Sequence, residues 1–246
     1  YLMTRNTELG TLTGNEYIVK TIVTTETIRT IAEAQHIKMY DCFTGFKWIA
    51  NVMRENEGKA RYLGGGEESY GFLAEDFVRD KDSVSAISLM AEIAAWAKDK
   101  GLNMTDMLID IYMKYGFSRE KGISLVRKGK SGAEEIIALM KQFRENPPKE
   151  IAGSPVVTVK DFQSLVETNV ATGETKKLDM PATSNVLQYY TADRTKVSVR
   201  PSGTEPKIKF YIEVHDTLAS ADEYKATEAR ADEKINRIAK EFGITK

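Results

Sequence analysis

Between Arg200 and Lys207 the sequence runs Arg-Pro-Ser-Gly-Thr-Glu-Pro-Lys, a stretch whose small, hydroxyl-bearing centre suits the capture of an anion. Backbone N–H groups and the Ser202 and Thr204 hydroxyls can converge on phosphate oxygens, and Arg200 offers a planar fork of donors. Gly203 permits close approach or a positive φ. Pro201 and Pro206 limit the loop's freedom and so reduce the entropy lost on binding. Taken by spacing alone, the same residues also suit an ordinary hairpin turn.

A second segment, Gly64-Gly65-Gly66-Glu67-Glu68-Ser69-Tyr70-Gly71, falls where the third strand of an open α/β sheet is expected to end. Ligands of such sheets sit beyond the carboxyl ends of the strands, and three glycines let a backbone approach a ligand. Glu67 and Ser69 are one strand period apart. Pointing the same way, they would give an acceptor and a donor-acceptor suited to vicinal hydroxyls. A flexible turn with solvated carboxylates is the alternative.

Together and in this order, the two segments resemble the α-D-phosphohexomutase family, the phosphoglucomutases and phosphomannomutases. Glu67-Glu68-Ser69 is similar to the sugar-binding loop of that family's third domain, and the 200–207 stretch to the phosphate-binding loop of its fourth. Thr44-Gly45-Phe46-Lys47-Trp48 resembles the family's preceding strand-to-helix turn, and Lys81-Asp82 its basic site beyond the sugar loop.

The resemblance implies an intramolecular phosphotransferase with four domains around one cleft, moving phosphate between C1 and C6 of a hexose. A phosphoserine of the first domain donates the phosphoryl group, glucose 1,6-bisphosphate or its analogue is the intermediate and activator, and an aspartate-rich loop of the second domain holds Mg²⁺. It further implies that Arg200, Ser202, Gly203, Thr204 and Lys81 contact phosphate and that Glu67 and Ser69 contact sugar hydroxyls. Lys20, Thr44, Gly45 and Lys209 are lesser contributors. The Glu-Glu-Ser form leans towards glucose.

The 246 residues contain no Thr-Ala-Ser-His-Asn-Pro segment and no Asp-Gly-Asp-x-Asp-Arg segment. The expected partners are therefore a phosphorylated hexose and the N-terminal domains of the same polypeptide, which would bring nucleophile and metal. Without them the chain should be inert. A stand-alone phosphosugar-binding module is the alternative.

These loops need elements to hold them. Over residues 17–66, short β-branched runs alternate with helical ones: strands over 17–23, 37–42 and 59–63, helices over 26–35 and 46–54. This is the order of a sheet covered on both faces by crossover helices. Asp82 or Ser83 caps an apolar helix over 84–97, expected to be buried in the core, and Thr105 starts another that Gly116 closes. The expected boundary lies near Gly116, giving an α/β/α sandwich over 1–116, truncated within its first helix, and a smaller α+β domain over 117–246.

In that second domain Ile208, Phe210, Ile212 and Val214 alternate with polar residues, as do Val197 and Val199. The pattern predicts two antiparallel, half-buried strands joined through residues 201–206, with a helix over 221–242 laid across the sheet. Gly129-Lys130-Ser131 fails as a nucleotide loop because Ser124 stands where a glycine is required, so Ser131 and Glu134 are expected to cap a helix over 133–143.

Lys plus Arg number 35 against 36 Asp plus Glu, which leaves no field for steering nucleic acid or an anionic membrane. One cysteine and two histidines exclude a disulfide framework and a Cys/His zinc cluster, and a cytoplasmic setting is expected. Trp48 and Trp96 are expected in the core.

Overall fold

The computed structural model describes residues 1–127, 129–203 and 205–244, so Thr204 of the expected phosphate loop lies outside the described residues. The chain divides into two compact units, Tyr1–Gly116 and Phe117–Lys246. Its class is mixed α/β, an α/β/α unit followed by an antiparallel-sheet unit with helices, as the residue patterns implied.

The first unit runs α1 (Leu2–Glu8), β1 (Glu16–Thr21), α2 (Thr27–Ala34), β2 (Lys38–Cys42), α3 (Phe46–Asn56), β3 (Arg61–Gly66), β4 (Phe72–Ala74), α4 (Ser83–Asp99) and α5 (Met104–Tyr115). Strand order is β2-β1-β3-β4; β1 pairs in parallel with β2 and β3, and β4 returns antiparallel. Central β1 is buried along its whole length. Tyr17 and Val19 pack with Ile49 and Met53 of α3, while Ile18 packs with Ala32 of α2. Helices α2 and α3 therefore leave β1 and β2 on opposite faces, which opens a crevice beyond the carboxyl ends of those strands.

The glycines of β3 serve the sheet itself. A Cβ on Gly65 would stand 2.5 Å from the Val19 carbonyl oxygen, so β1 and β3 could not approach in their present register with any larger residue there.

Three local expectations are corrected. Helix α4 is not buried: Val84 is 72% and Ile87 70% exposed, and only Ala97 is fully covered. Its apolar residues surround the helix, but only one stripe faces the sheet. That stripe, with Leu89 and Ile93, lines an apolar cleft of about 440 Å³ together with Leu2, Ile18, Leu63 and Phe72. The second correction is α5, which starts one residue before Thr105. Asn103 caps it, accepting from the Thr105 and Asp106 N–H groups while Asp106 accepts from the Asn103 N–H. The reciprocal pair outcompetes a threonine cap. Trp48 and Trp96, third, are only half-buried. The Asp82 cap of α4 is present, accepting from the Val84 and Ser85 N–H groups.

The second unit contains β5 (Phe117–Val126), α6 (Gly129–Glu145), β6 (Glu150–Ile151), β7 (Ser154–Asp161), β8 (Val166–Asn169), β9 (Thr175–Lys177), β10 (Leu187–Thr191), β11 (Lys196–Pro201), β12 (Lys207–Asp216) and α7 (Tyr224–Glu241). The sheet order is β5-β12-β11-β10-β7-β8-β9, with β6 paired to β7. Helix α6 begins at Gly129, which places Ser131 inside its first turn and not at a cap.

Phe210 meets Phe143 of α6 and Phe242 after α7 edge to face, and Ile235 and Ile238 of α7 are fully buried. On the opposite face of β11 and β12, Lys196, Ser198, Tyr211 and Glu213 are also buried, though polar. Lys196 and Glu213, cross-strand partners, form an ion pair at 2.8 Å with both side chains at most 3% exposed. His215 Nε2 lies 3.2 Å from the other Glu213 oxygen.

Candidate functional site

In the first unit the 67–71 loop is the turn between β3 and β4. The Glu67 N–H donates to the Gly71 carbonyl at 2.7 Å, which closes the turn. The Gly45 N–H donates to Glu67 Oε1, also at 2.7 Å. Gly45, at φ +115°, sits before α3 in a conformation that disfavours a side chain. Glu67 thus reaches from the end of β3 to the turn after β2, and the sugar-loop assignment and the Thr44-Gly45 assignment meet at one place. Ser69 and Tyr70 are exposed at the tip, and Thr44 is partly exposed. Glu68 Oε2 is buried with no hydrogen-bond partner among the described residues.

Lys81 lies just before α4. Its ammonium is 3.1 Å from Asp80 Oδ1 and 6.0 Å from the centre of the Phe46 ring, which follows Gly45. The side chain is half-exposed and so open to an anion.

Lys20 is placed differently from an open phosphate contact, being fully buried. Its Nζ is 3.0 Å from Glu26 Oε1 and 2.9 Å from Asp41 Oδ1, the latter a charge contact without hydrogen-bond alignment. Arg29 pairs with both carboxylates in turn. Two cations and two anions form a closed ring at the carboxyl ends of β1 and β2. Neighbouring Cys42 has its thiol pushed up to about 12 by burial, with the Asp41 and Glu67 charges adding to it. It is no nucleophile at neutral pH.

In the second unit the 200–207 stretch joins β11 to β12. The Ser202 N–H donates to the Lys207 carbonyl at 2.8 Å, and the Arg127 N–H donates to the Pro206 carbonyl at 2.9 Å, which braces the turn from β5. Lys207 pairs with Glu205 at 2.8 Å, and that hydrogen bond holds the Glu205 carboxyl below its usual range. Arg200 and Lys209 occupy directly opposed positions on β11 and β12. Both are partly exposed, and neither is in an ion pair among the described residues. Like charges placed opposite each other cost stability unless an anion lies between them. Gly203, exposed at the tip, leaves a backbone N–H accessible beside them.

The sequence singled out most of these positions but not the tie between Glu67 and Gly45. No spacing within either turn signals that tie, because it joins two separate turns.

Family models match both units: the phosphoglucomutase/phosphomannomutase alpha/beta/alpha domain III over residues 1–115, and the phosphoglucomutase/phosphomannomutase C-terminal domain over residues 139–231. The phosphoglucomutase of Staphylococcus haemolyticus is 33% identical over 208 residues, covering 85% of this chain and 38% of the relative. That of Staphylococcus epidermidis is 35% identical over 198 residues, covering 80% and 36%. The chain therefore spans just over a third of the length of these relatives. Among solved structures, the open form of Paramecium parafusin superimposes with TM-score 0.54 at 15% identity, covering 90% of this chain and 38% of that one. A putative phosphomannomutase from Thermus thermophilus gives 0.55 at 14%, covering 93% and 39%. These two likenesses establish the fold.

Proposed function

The chain belongs to the phosphoglucomutase/phosphomannomutase family, and from that premise we propose that it is the substrate-binding C-terminal portion of an enzyme interconverting hexose 1-phosphate and hexose 6-phosphate, with glucose as the sugar. The observation that carries this is the opposed pair of cations, Arg200 and Lys209, beside the 200–207 turn. A phosphate dianion would relieve their repulsion and accept from Ser202 and the Gly203 N–H. Thr204 takes part in the same grip by the family resemblance.

We assign hydroxyl recognition to the first unit. With Oε1 of Glu67 held by Gly45, the carboxylate is oriented before any sugar arrives, and its second oxygen is left to accept. Ser69, exposed on the same turn, adds a hydroxyl that donates or accepts. Lys81 is a further phosphate contact. Lys20 acts by holding β1 and β2 together and not by touching the ligand.

The phosphoryl transfer itself is assigned to polypeptide beyond these residues. Mg²⁺ would supply charge neutralisation for that transfer, but Asp80 and Asp82 do not fit it. Asp80 is spent on Lys81 and Asp82 on the cap of α4, which leaves no oxygen cage. The full-length enzyme, working in the cytoplasm through a phosphoserine and glucose 1,6-bisphosphate, would turn over; the 246-residue chain would bind without catalysis.

Calorimetric titration with glucose 6-phosphate tests the reading. The chain should bind, and Arg200→Ala and Ser202→Ala should each weaken binding at least tenfold, about 1.4 kcal/mol. Affinity unchanged by both substitutions ends the proposal.

A further inference from the structure

Tyr70 is unusual in two independent respects. Its side chain is fully exposed, at 105% of the reference area, and its backbone φ is +57°, in the left-handed region that residues with a side chain avoid. Glycine would relieve the backbone, and a polar residue would suit the solvent. Neither stands there.

The turn that carries Tyr70 is not slack. Its ends are closed by the hydrogen bond from the Glu67 N–H to the Gly71 carbonyl, and Glu67 is anchored in turn by Gly45. The ring is therefore presented from a fixed base, directly after Ser69. Among the described residues it makes no ring-stacking, cation or hydrogen-bond contact. A rigid aromatic with two side-chain torsions loses little entropy when covered.

A hexose ring presents C–H faces between its hydroxyls. Carboxylate and hydroxyl groups satisfy the O–H edges, but the apolar face needs an apolar cover. We propose that Tyr70 is a specificity-determining contact whose ring covers the C–H face of the bound hexose. This rests on the hexose-phosphate function proposed above.

The test titrates the 246-residue chain and its Tyr70→Phe, Tyr70→Ala and Tyr70→Gly variants with glucose 6-phosphate and, separately, with inorganic phosphate, and records each thermal midpoint. The phenylalanine variant should bind glucose 6-phosphate within about twofold of the parent, and the alanine and glycine variants should lose about tenfold. Inorganic phosphate should bind all four alike. The glycine variant, freed of the φ penalty, should melt no lower than the parent, which separates a contact role from a structural one. Glycine and alanine variants that bind glucose 6-phosphate as well as the parent overturn the role of Tyr70 alone. A parent chain that binds inorganic phosphate but not glucose 6-phosphate overturns the underlying reading, and the role of Tyr70 with it.

Discussion

Glu67 Oε1 accepts a hydrogen bond from the Gly45 N–H at 2.7 Å, linking the turn after β3 to the turn after β2 across the central strand. The bond is charge-assisted and partly buried, and it turns a glycine-rich segment into a fixed platform.

Replacing Glu67 with alanine should therefore act on stability as well as on binding. Loss of a charged acceptor from a partly buried N–H is expected to cost about 1–3 kcal/mol in urea denaturation. Glu67→Gln keeps a carbonyl oxygen for the Gly45 N–H and should recover most of that stability. Its affinity for glucose 6-phosphate should still fall several-fold, because a neutral acceptor holds a hydroxyl less strongly. A glutamine variant that restores both properties would show that the carboxylate charge has no part in recognition.

The ring of Lys20, Glu26, Arg29 and Asp41 makes a different prediction. Lys20→Met fits the apolar stem but leaves two partly buried carboxylates facing a single arginine. Removing one member of a buried network typically costs about 3–5 kcal/mol. Urea unfolding of the first unit should show a loss in that range. A loss below about 1 kcal/mol would mean that water already screens the ring.

The two units differ in how much of this could be read from the residues. Alternation of Ile208, Phe210, Ile212 and Val214 marks β12 because one face meets α6 and α7, and a period of two survives any detail of packing. Helix α4 was legible as a helix but not as an exposed one. Its apolar residues lie on all sides, and composition does not state which side meets β4. The bond between Gly45 and Glu67 joins residues 22 apart in the chain and exists only once two turns adopt their conformations. Lys196 was equally opaque. The alternation put it on the wet face of a half-buried strand, and only the cross-strand register brings Glu213 opposite to neutralise it.

That buried pair makes acid stability measurable. Burial alone would raise the Glu213 carboxyl, but Lys196 and His215 overcome it and hold the group at about 2, below its ordinary 4.5. A carboxyl depressed in the folded state contributes stability above its unfolded pKa and loses it as pH falls through the folded one. Stability should therefore decline between about pH 4.5 and pH 2, by on the order of 3 kcal/mol from this group. Glu213→Gln, measured by urea denaturation across that window, should flatten the decline while lowering stability at pH 7. An unchanged acid slope would place the acid sensitivity elsewhere.

Arg200 and Lys209 couple stability to the ligand in the opposite sense. Because they face each other across β11 and β12, and the Glu205 carboxylate that acts on Lys209 is itself paired with Lys207, removing one should not destabilise the phosphate-free chain. Lys209→Gln should be neutral or stabilising by about 0.2–1 kcal/mol, the cost of a like-charged cross-strand pair. Inorganic phosphate should raise the parent's thermal midpoint in proportion to its binding, and raise that of Lys209→Gln much less. Raising the salt concentration should shrink the first difference by screening the repulsion. A Lys209→Gln chain that melts lower than the parent without phosphate, yet gains as much from phosphate, would show that this pair is a structural feature of the sheet and grips no anion.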